Sequence, residues 1–151
     1  MAIWVDADAC PRTVREILFR ASARTKTTVT FVANSQIRTP AVKEIRFVQV
    51  PKGFDVADQE ILNRSKPGDL VITGDISLAA DLLKSGVSVI SPRGEQFSTE
   101  TVGQKLNIRD FLETMRSSGE HTGGSRPMSK GDSQKFGNSL DQYLAKSIKS
   151  S

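Results

Sequence analysis

The chain has 151 residues, with 21 Lys and Arg against 17 Asp and Glu, a net charge of +4 and a pI near 9.4. That length supports one domain with a real hydrophobic core, and the mild positive charge draws anionic partners by long-range attraction. A single cysteine excludes an intramolecular disulfide framework and cannot alone build a zinc site. The chain opens without a leader-like region, and no run approaches the roughly 20 apolar residues of a membrane span, so a cytoplasmic protein without membrane contact is expected.

Ile3-Trp4-Val5 is an apolar run closed by Asp6-Ala7-Asp8-Ala9-Cys10-Pro11, which predicts a buried strand handing over to a helix with Pro11 in its first turn. Val14, Ile17, Leu18 and Ala21 continue at helical spacing to about Ala23, while Arg12, Arg15, Arg20 and Arg24 fall mostly on other faces. Thr28 to Ala33 reads as a second strand, followed by a loop from Asn34-Ser35 through Pro40. Ile45 to Val50 reads as a third, stopped by Pro51-Lys52-Gly53. Asp55 to Asn63 is helical in pattern, and Asp69 to Thr73 is a fourth strand whose continuous apolar run suits a strand covered on both faces. A short helix follows Gly74-Asp75 and stops at Gly86, and Val87 to Ile90 is the fifth strand. Strands alternating with helices imply βαβ units and a mainly parallel sheet with right-handed crossovers.

From Glu95 to Arg116 the positions Val102, Leu106, Phe111, Leu112 and Met115 predict one or two further helices, closing a domain over 1–116. Residues 117–128 are rich in Gly and Ser and read as a loop or linker. Over 129–151 a capping box of Ser129 and Asp132 leads into Phe136, Leu140, Tyr143, Leu144 and Ile148 at helical spacing, which predicts a final helix docking on the domain or on a partner. No fixed-period repeat is present.

Parallel strands put their carboxyl ends on one rim, where ligands collect in open α/β sheets. Asp6, Asp8 and Asp75 are expected there, and the loop after the third strand adds Asp55 and Asp58. Carboxylates gathered in one cleft repel unless protons or cations intervene, and all-oxygen ligation favours magnesium or manganese. Each acid also has a plainer role. Asp55 and Asp75 suit helix N-caps, Asp58 complements a helix dipole, and Asp69 and Asp81 suit a turn and a solvated face. Two acids flanking one alanine at a strand end exceed what a cap needs. Cys10 lies four rather than five residues from Arg15, which breaks the Cys-x5-Arg phosphatase spacing, so it reads as a packed or capping residue. Trp4 reads as core, and His121, in the Gly/Ser segment, is not placed as a general base. Arg126 and Lys130 read as solvated charge.

At Asp6-Ala7-Asp8-Ala9-Cys10-Pro11, Phe31-Val32-Ala33-Asn34, Asp55-Val56-Ala57-Asp58, Thr73-Gly74-Asp75-Ile76-Ser77-Leu78-Ala79 and Gly123-Gly124-Ser125-Arg126-Pro127, the chain resembles the YaiI/YqxD family nearly end to end. That family is itself similar to the PIN-like domains, many of which are metal-dependent ribonucleases with acids at the ends of parallel strands. The resemblance implies a three-layer PIN-like α/β domain of about five strands. It matches Asp6 to the first-strand acid, Asp58 with Asp55 beside it to the middle acid, and Asp75 to the acid before the later helix. Ser91 stands where a fourth acid is expected.

The expected function is a magnesium- or manganese-dependent phosphodiesterase acting on RNA ahead of DNA. Asp6, Asp8, Asp55, Asp58 and Asp75 would hold the metal, with Asp6, Asp8, Asp58 and Asp75 central to catalysis, and Asn34, Ser35 and Thr73 would position phosphate or water. One alternative is a haloacid-dehalogenase-like phosphatase with Asp6 as nucleophile and Asp8 as acid/base, from the Asp-x-Asp spacing. Another is a non-catalytic nucleic-acid-binding or assembly protein that keeps the acidic rim as a vestigial metal site.

Overall fold

The computed structural model describes residues 1–53, 56–104 and 129–150, with side chains of the last stretch as far as 146. The elements in chain order are β1 (Ile3–Asp6), α1 (Arg12–Thr25), β2 (Val29–Ala33), β3 (Ile45–Gln49), α2 (Val56–Arg64), β4 (Leu70–Ile72), α3 (Ile76–Lys84), β5 (Ser88–Ile90), a helix α4 described over 99–104, and α5 (Lys130–Ser150). The strands form one sheet in the order β3-β2-β1-β4-β5, every pair parallel. The first strand is therefore the middle one, and the connections leave it first to one side and then to the other. In such sheets the crevice at the reversal, outside the carboxyl ends of β1 and β4, is the place where ligands bind.

Alternation along the strands sorts the core into two layers. Ile3, Val5, Phe31, Leu70 and Ile72 face α1 and α5, where they meet Val14, Leu18, Phe136, Leu140 and Leu144. Trp4, Val32, Val71 and Val89 face the other way, against Ile61 of α2, Leu78 and Leu82 of α3 and Val102 of α4. A parallel sheet covered on both faces carries continuous apolar strands, and Val29–Ala33 and Leu70–Ile72 are buried at every position. The result is a three-layer α/β domain.

The last helix belongs to this core. Phe136 and Leu140 are fully buried, and the Ser129 and Asp132 side chains cap the helix reciprocally, each accepting from the other's backbone N–H at 3.1 Å. Asp132 also accepts from the Arg93 guanidinium at 2.7 Å, and the Ser139 hydroxyl donates to the Gly94 carbonyl at 2.6 Å. Gly94 has φ +90°, and a Cβ there would meet the backbone of Lys135 at 2.5 Å, so only glycine allows the loop after β5 to lie this close to α5.

Two local differences from the sequence pattern matter for the rim. A 3-10 turn, Ala7–Ala9, intervenes between β1 and α1, and Pro11 is the extended N-cap residue of α1 rather than its first helical residue. Three residues of Ala-Asp-Ala carry no periodicity from which such a turn can be read. Its effect is to aim Asp6 and Asp8 at different neighbours.

Candidate functional site

β1 sits between β2 and β4, so an acid at its end can lean toward either. Asp6, the last residue of β1, leans toward β4: its Oδ2 accepts from the Thr73 hydroxyl at 3.1 Å. Thr73 is fully buried, and the same hydroxyl oxygen accepts from the Asp75 backbone N–H at 3.1 Å. Asp75 is the N-cap of α3, where its Oδ1 accepts from the Leu78 N–H at 3.0 Å. One hydroxyl thus ties the two acids of neighbouring strands, and the cap fixes the second of them.

Asp8, two residues on, leans the other way. Its Oδ2 accepts from the Asn34 backbone N–H at 2.8 Å, and the Ser35 hydroxyl donates to its Oδ1 at 3.4 Å. Asn34 and Ser35 therefore hold Asp8 at the exit of β2, and Thr73 holds Asp6 at the exit of β4. With Asp8 engaged on the β2 side, the pairing of two acids over one phosphoryl group that the Asp-x-Asp spacing called for has no support in the geometry.

Asp6 is held above the usual carboxylate range. Burial is the main cause, the Thr73 hydroxyl works against it, and the negative charges of Asp75 and Asp8 add to the rise. The rim is thus a place where negative charge is held at a cost, and a cation or a proton relieves it. Asp58 lies in the first turn of α2, half-buried, and has a partner of its own. Asp55, His121 and Arg126 lie outside the described residues. Among the described residues no three Asp, Glu, His or Cys side chains approach closely enough to hold one metal ion between them. The sequence pattern predicts a cluster of four or five carboxylates; within the described residues the structure brings together Asp6 and Asp75, with Asp8 in electrostatic reach.

The plainer roles are also visible. Burial pushes the Cys10 thiol up to about 12, with Arg15 partly offsetting and Asp6 adding to the rise, so no thiolate nucleophile forms near neutral pH. Asp69 accepts from the Lys66 N–H at 3.0 Å, as a turn aspartate does, and also from the Ala2 N–H at 3.0 Å and the Trp4 indole at 3.1 Å. Trp4 is half-buried and packed against the second core layer. Composition did not single out the loop that leaves β2, although Arg12 and Arg15 of α1 face it together with Arg38. Their spacing on the first turn of a helix that follows two acids was the available signal. No helix among the described residues is long and apolar enough to cross a membrane.

The pattern that defines the "Uncharacterized BCR, YaiI/YqxD family" matches residues 4–146 of the chain. The chain is 54% identical to a UPF0178 protein of Hahella chejuensis, over 99% of this chain and 100% of that protein. It is 54% identical to a UPF0178 protein of Photobacterium profundum over 99% of each, and 55% identical to one of Halorhodospira halophila over 97% of each. No solved structure matches the chain.

Proposed function

Because the chain belongs to the bacterial YaiI/YqxD family, whose description assigns no reaction, we propose from the rim itself that it is a divalent-metal-dependent phosphodiesterase acting on RNA. The observation that carries this is Asp6: a carboxylate at the end of the central strand, where the chain connections switch from one side of that strand to the other, held above its usual range beside Asp75 and Asp8. Asp6 and Asp75 present hard oxygen donors. Magnesium commonly binds through one or two carboxylates and completes its shell with water and substrate phosphate, so this pair fits magnesium or manganese without a third protein ligand. When bound, such a cation supplies positive charge for the phosphoryl oxygens and acidity for an attacking water.

The chain's own residues set the conditions for that chemistry. Thr73 fixes the Asp6 carboxylate by donating to it and fixes Asp75 by accepting from its N–H, so both acids are oriented before substrate arrives. The α3 cap holds Asp75 against the rim. Asp8, anchored by Asn34 and Ser35, adds negative charge beside Asp6 that strengthens its hold on a cation. Asp58, in the first turn of α2, and Asp55, three residues before it in the sequence, keep in this reading the supporting part that the family resemblance gives them. The single cysteine suits a reducing cytoplasm.

Calorimetric titration with manganese and a cleavage assay on single-stranded RNA test the reading together. Binding and metal-dependent cleavage in the wild type, both lost in Asp6→Asn, are expected. Absence of divalent-metal binding in the folded protein, or cleavage unchanged by Asp6→Asn, would overturn it. RNA binding that persists without metal and without cleavage would favour a non-catalytic binding protein instead.

A further inference from the structure

Along the flank of α1, between it and the segment leaving β2, lies a trough that the carboxylate rim does not use. Arg12, Arg15, Phe19, Ile37 and Arg38 line a cavity of about 600 Å³. A neighbouring cavity of about 690 Å³ shares Gln36 to Thr39 and extends to Phe47 of β3. Three guanidinium groups oppose one carboxylate in its walls, Glu16, which pairs with Arg12 at 3.4 Å across one helical turn. That pair stands in water, with Arg12 84% exposed, so it holds the guanidinium weakly and leaves it available to an incoming anion. The floor is apolar and fixed: Phe19, Ile37 and Phe47 are half-buried against the core, and Phe19 packs on Phe31 with ring centroids 5.3 Å apart. The trough lies next to the acidic rim in the chain: its loop wall begins at Gln36, the residue after Ser35, whose hydroxyl donates to Asp8, and its helix wall begins at Arg12, four residues after Asp8.

We propose that this trough is the track along which the backbone of a single-stranded polynucleotide runs away from the Asp6 rim, with Arg12, Arg15 and Arg38 on its phosphates and the Phe19, Ile37 and Phe47 floor beneath its bases. The choice of ligand class rests on the phosphodiesterase reading of the rim; the placement rests on the trough. Alternating cations and apolar faces match a polymer that carries a phosphate and an unpaired base in each unit. A duplex would turn its bases inward and leave the floor unused. A lipid surface would need large exposed apolar side chains, and those that the described residues expose, Met1 and Val42, do not line the trough.

Binding is measured on the full chain by fluorescence anisotropy with a labelled 12-nucleotide single-stranded RNA, in EDTA so that cleavage plays no part. The wild type is expected to bind with an affinity that falls steeply with salt. Arg15→Gln with Arg38→Gln should weaken binding at least tenfold at low salt and flatten the dependence of log Kd on log salt by about 1.4, the loss of two single-strand phosphate contacts. Arg20→Gln with Arg24→Gln removes the same charge from α1 outside the trough and should leave both quantities near wild type. Equal loss in the two pairs would overturn the proposal, as would a duplex or polyglutamate binding as tightly as the single strand, or absence of binding at 50 mM salt, a test concentration of the order at which such contacts are strong. Cleavage lost with binding intact counts against the phosphodiesterase reading alone; binding lost in the Arg15/Arg38 pair as predicted, in protein that binds manganese normally, supports the track whatever the fate of that reading.

Discussion

The two ends of the β1–β4 pair each carry an aspartate that bridges the strands, and they are built in opposite ways. At the amino end Asp69 accepts from three N–H donors, on Ala2, Trp4 and Lys66, and is 9% exposed. At the carboxyl end Asp6 has the hydroxyl of Thr73 and, within electrostatic reach, two further negative charges. A carboxylate that accepts from three such donors is a rivet between the two strands. A carboxylate surrounded by acids and held by one hydroxyl is poised to take up positive charge. The same residue type, between the same two strands, serves structure at one end and chemistry at the other.

Removing the rivet should have the largest effect on stability. Asp69→Ala leaves three donors without their acceptor, two of them at the start of the central strand, and is expected to cost about 3 kcal/mol, or roughly 10 °C in Tm, with manganese binding unchanged in the folded fraction. Urea unfolding with parallel calorimetry checks it, and a loss below about 1 kcal/mol would erase the contrast between the two ends. Thr73→Val comes next. It strips the hydroxyl from Asp6 and the acceptor from the Asp75 N–H, and should cost about 1.5 kcal/mol while raising the Asp6 pKa further. Carboxylate titration followed by NMR reads the second effect.

Asp75→Ala should cost about 1 kcal/mol through the lost cap, whereas Asp75→Asn keeps the cap, changes stability by a few tenths of a kcal/mol, and lowers the Asp6 pKa by removing a like charge. Metal binding weakened equally by both variants separates the charge of Asp75 from its capping. The smallest effect has the opposite sign. Because the folded pKa of Asp6 is raised, its contribution to stability is fully present below the unfolded value of 3.8 and is lost as pH rises through the folded value. Asp6→Asn does not ionise, so its stability relative to wild type should improve between pH 3.5 and pH 7, by under about 1 kcal/mol, as read from urea midpoints at the two values. A variant that instead weakens on going to pH 7 would mean that Asp6 is a second rivet.

The sheet was legible in the sequence because its strands are buried on both faces. Val29–Ala33 and Leu70–Ile72 are continuous apolar runs bounded by turn residues, and helices between them leave little choice but parallel pairing. Asp75 as a cap and Cys10 as a packed residue were legible from local rules alone. What could not be read was which side of β1 each acid would face. That depends on the strand order and on a 3-10 turn without periodicity, and the sequence separation of Asp6 and Thr73 becomes a 3.1 Å contact only once β1 and β4 pair. The Asp69–Trp4 contact is the same case at the other end: the turn was visible, the indole was not. The trough beside α1 was missed because Arg12 and Arg15 read as a solvated face until Arg38 is folded opposite them.

Val5 in the middle strand and Leu144 in the last helix belong to one packed cluster. Synthesis runs from the amino end, so Phe136, Leu140 and Leu144 are made after the strands β1, β2 and β4 whose apolar side they share with α1. Such distant contacts also close slowly. The side of the sheet that α1 begins to cover is therefore completed only when the last helix docks, which makes α5 part of the folding unit rather than an appendage to it.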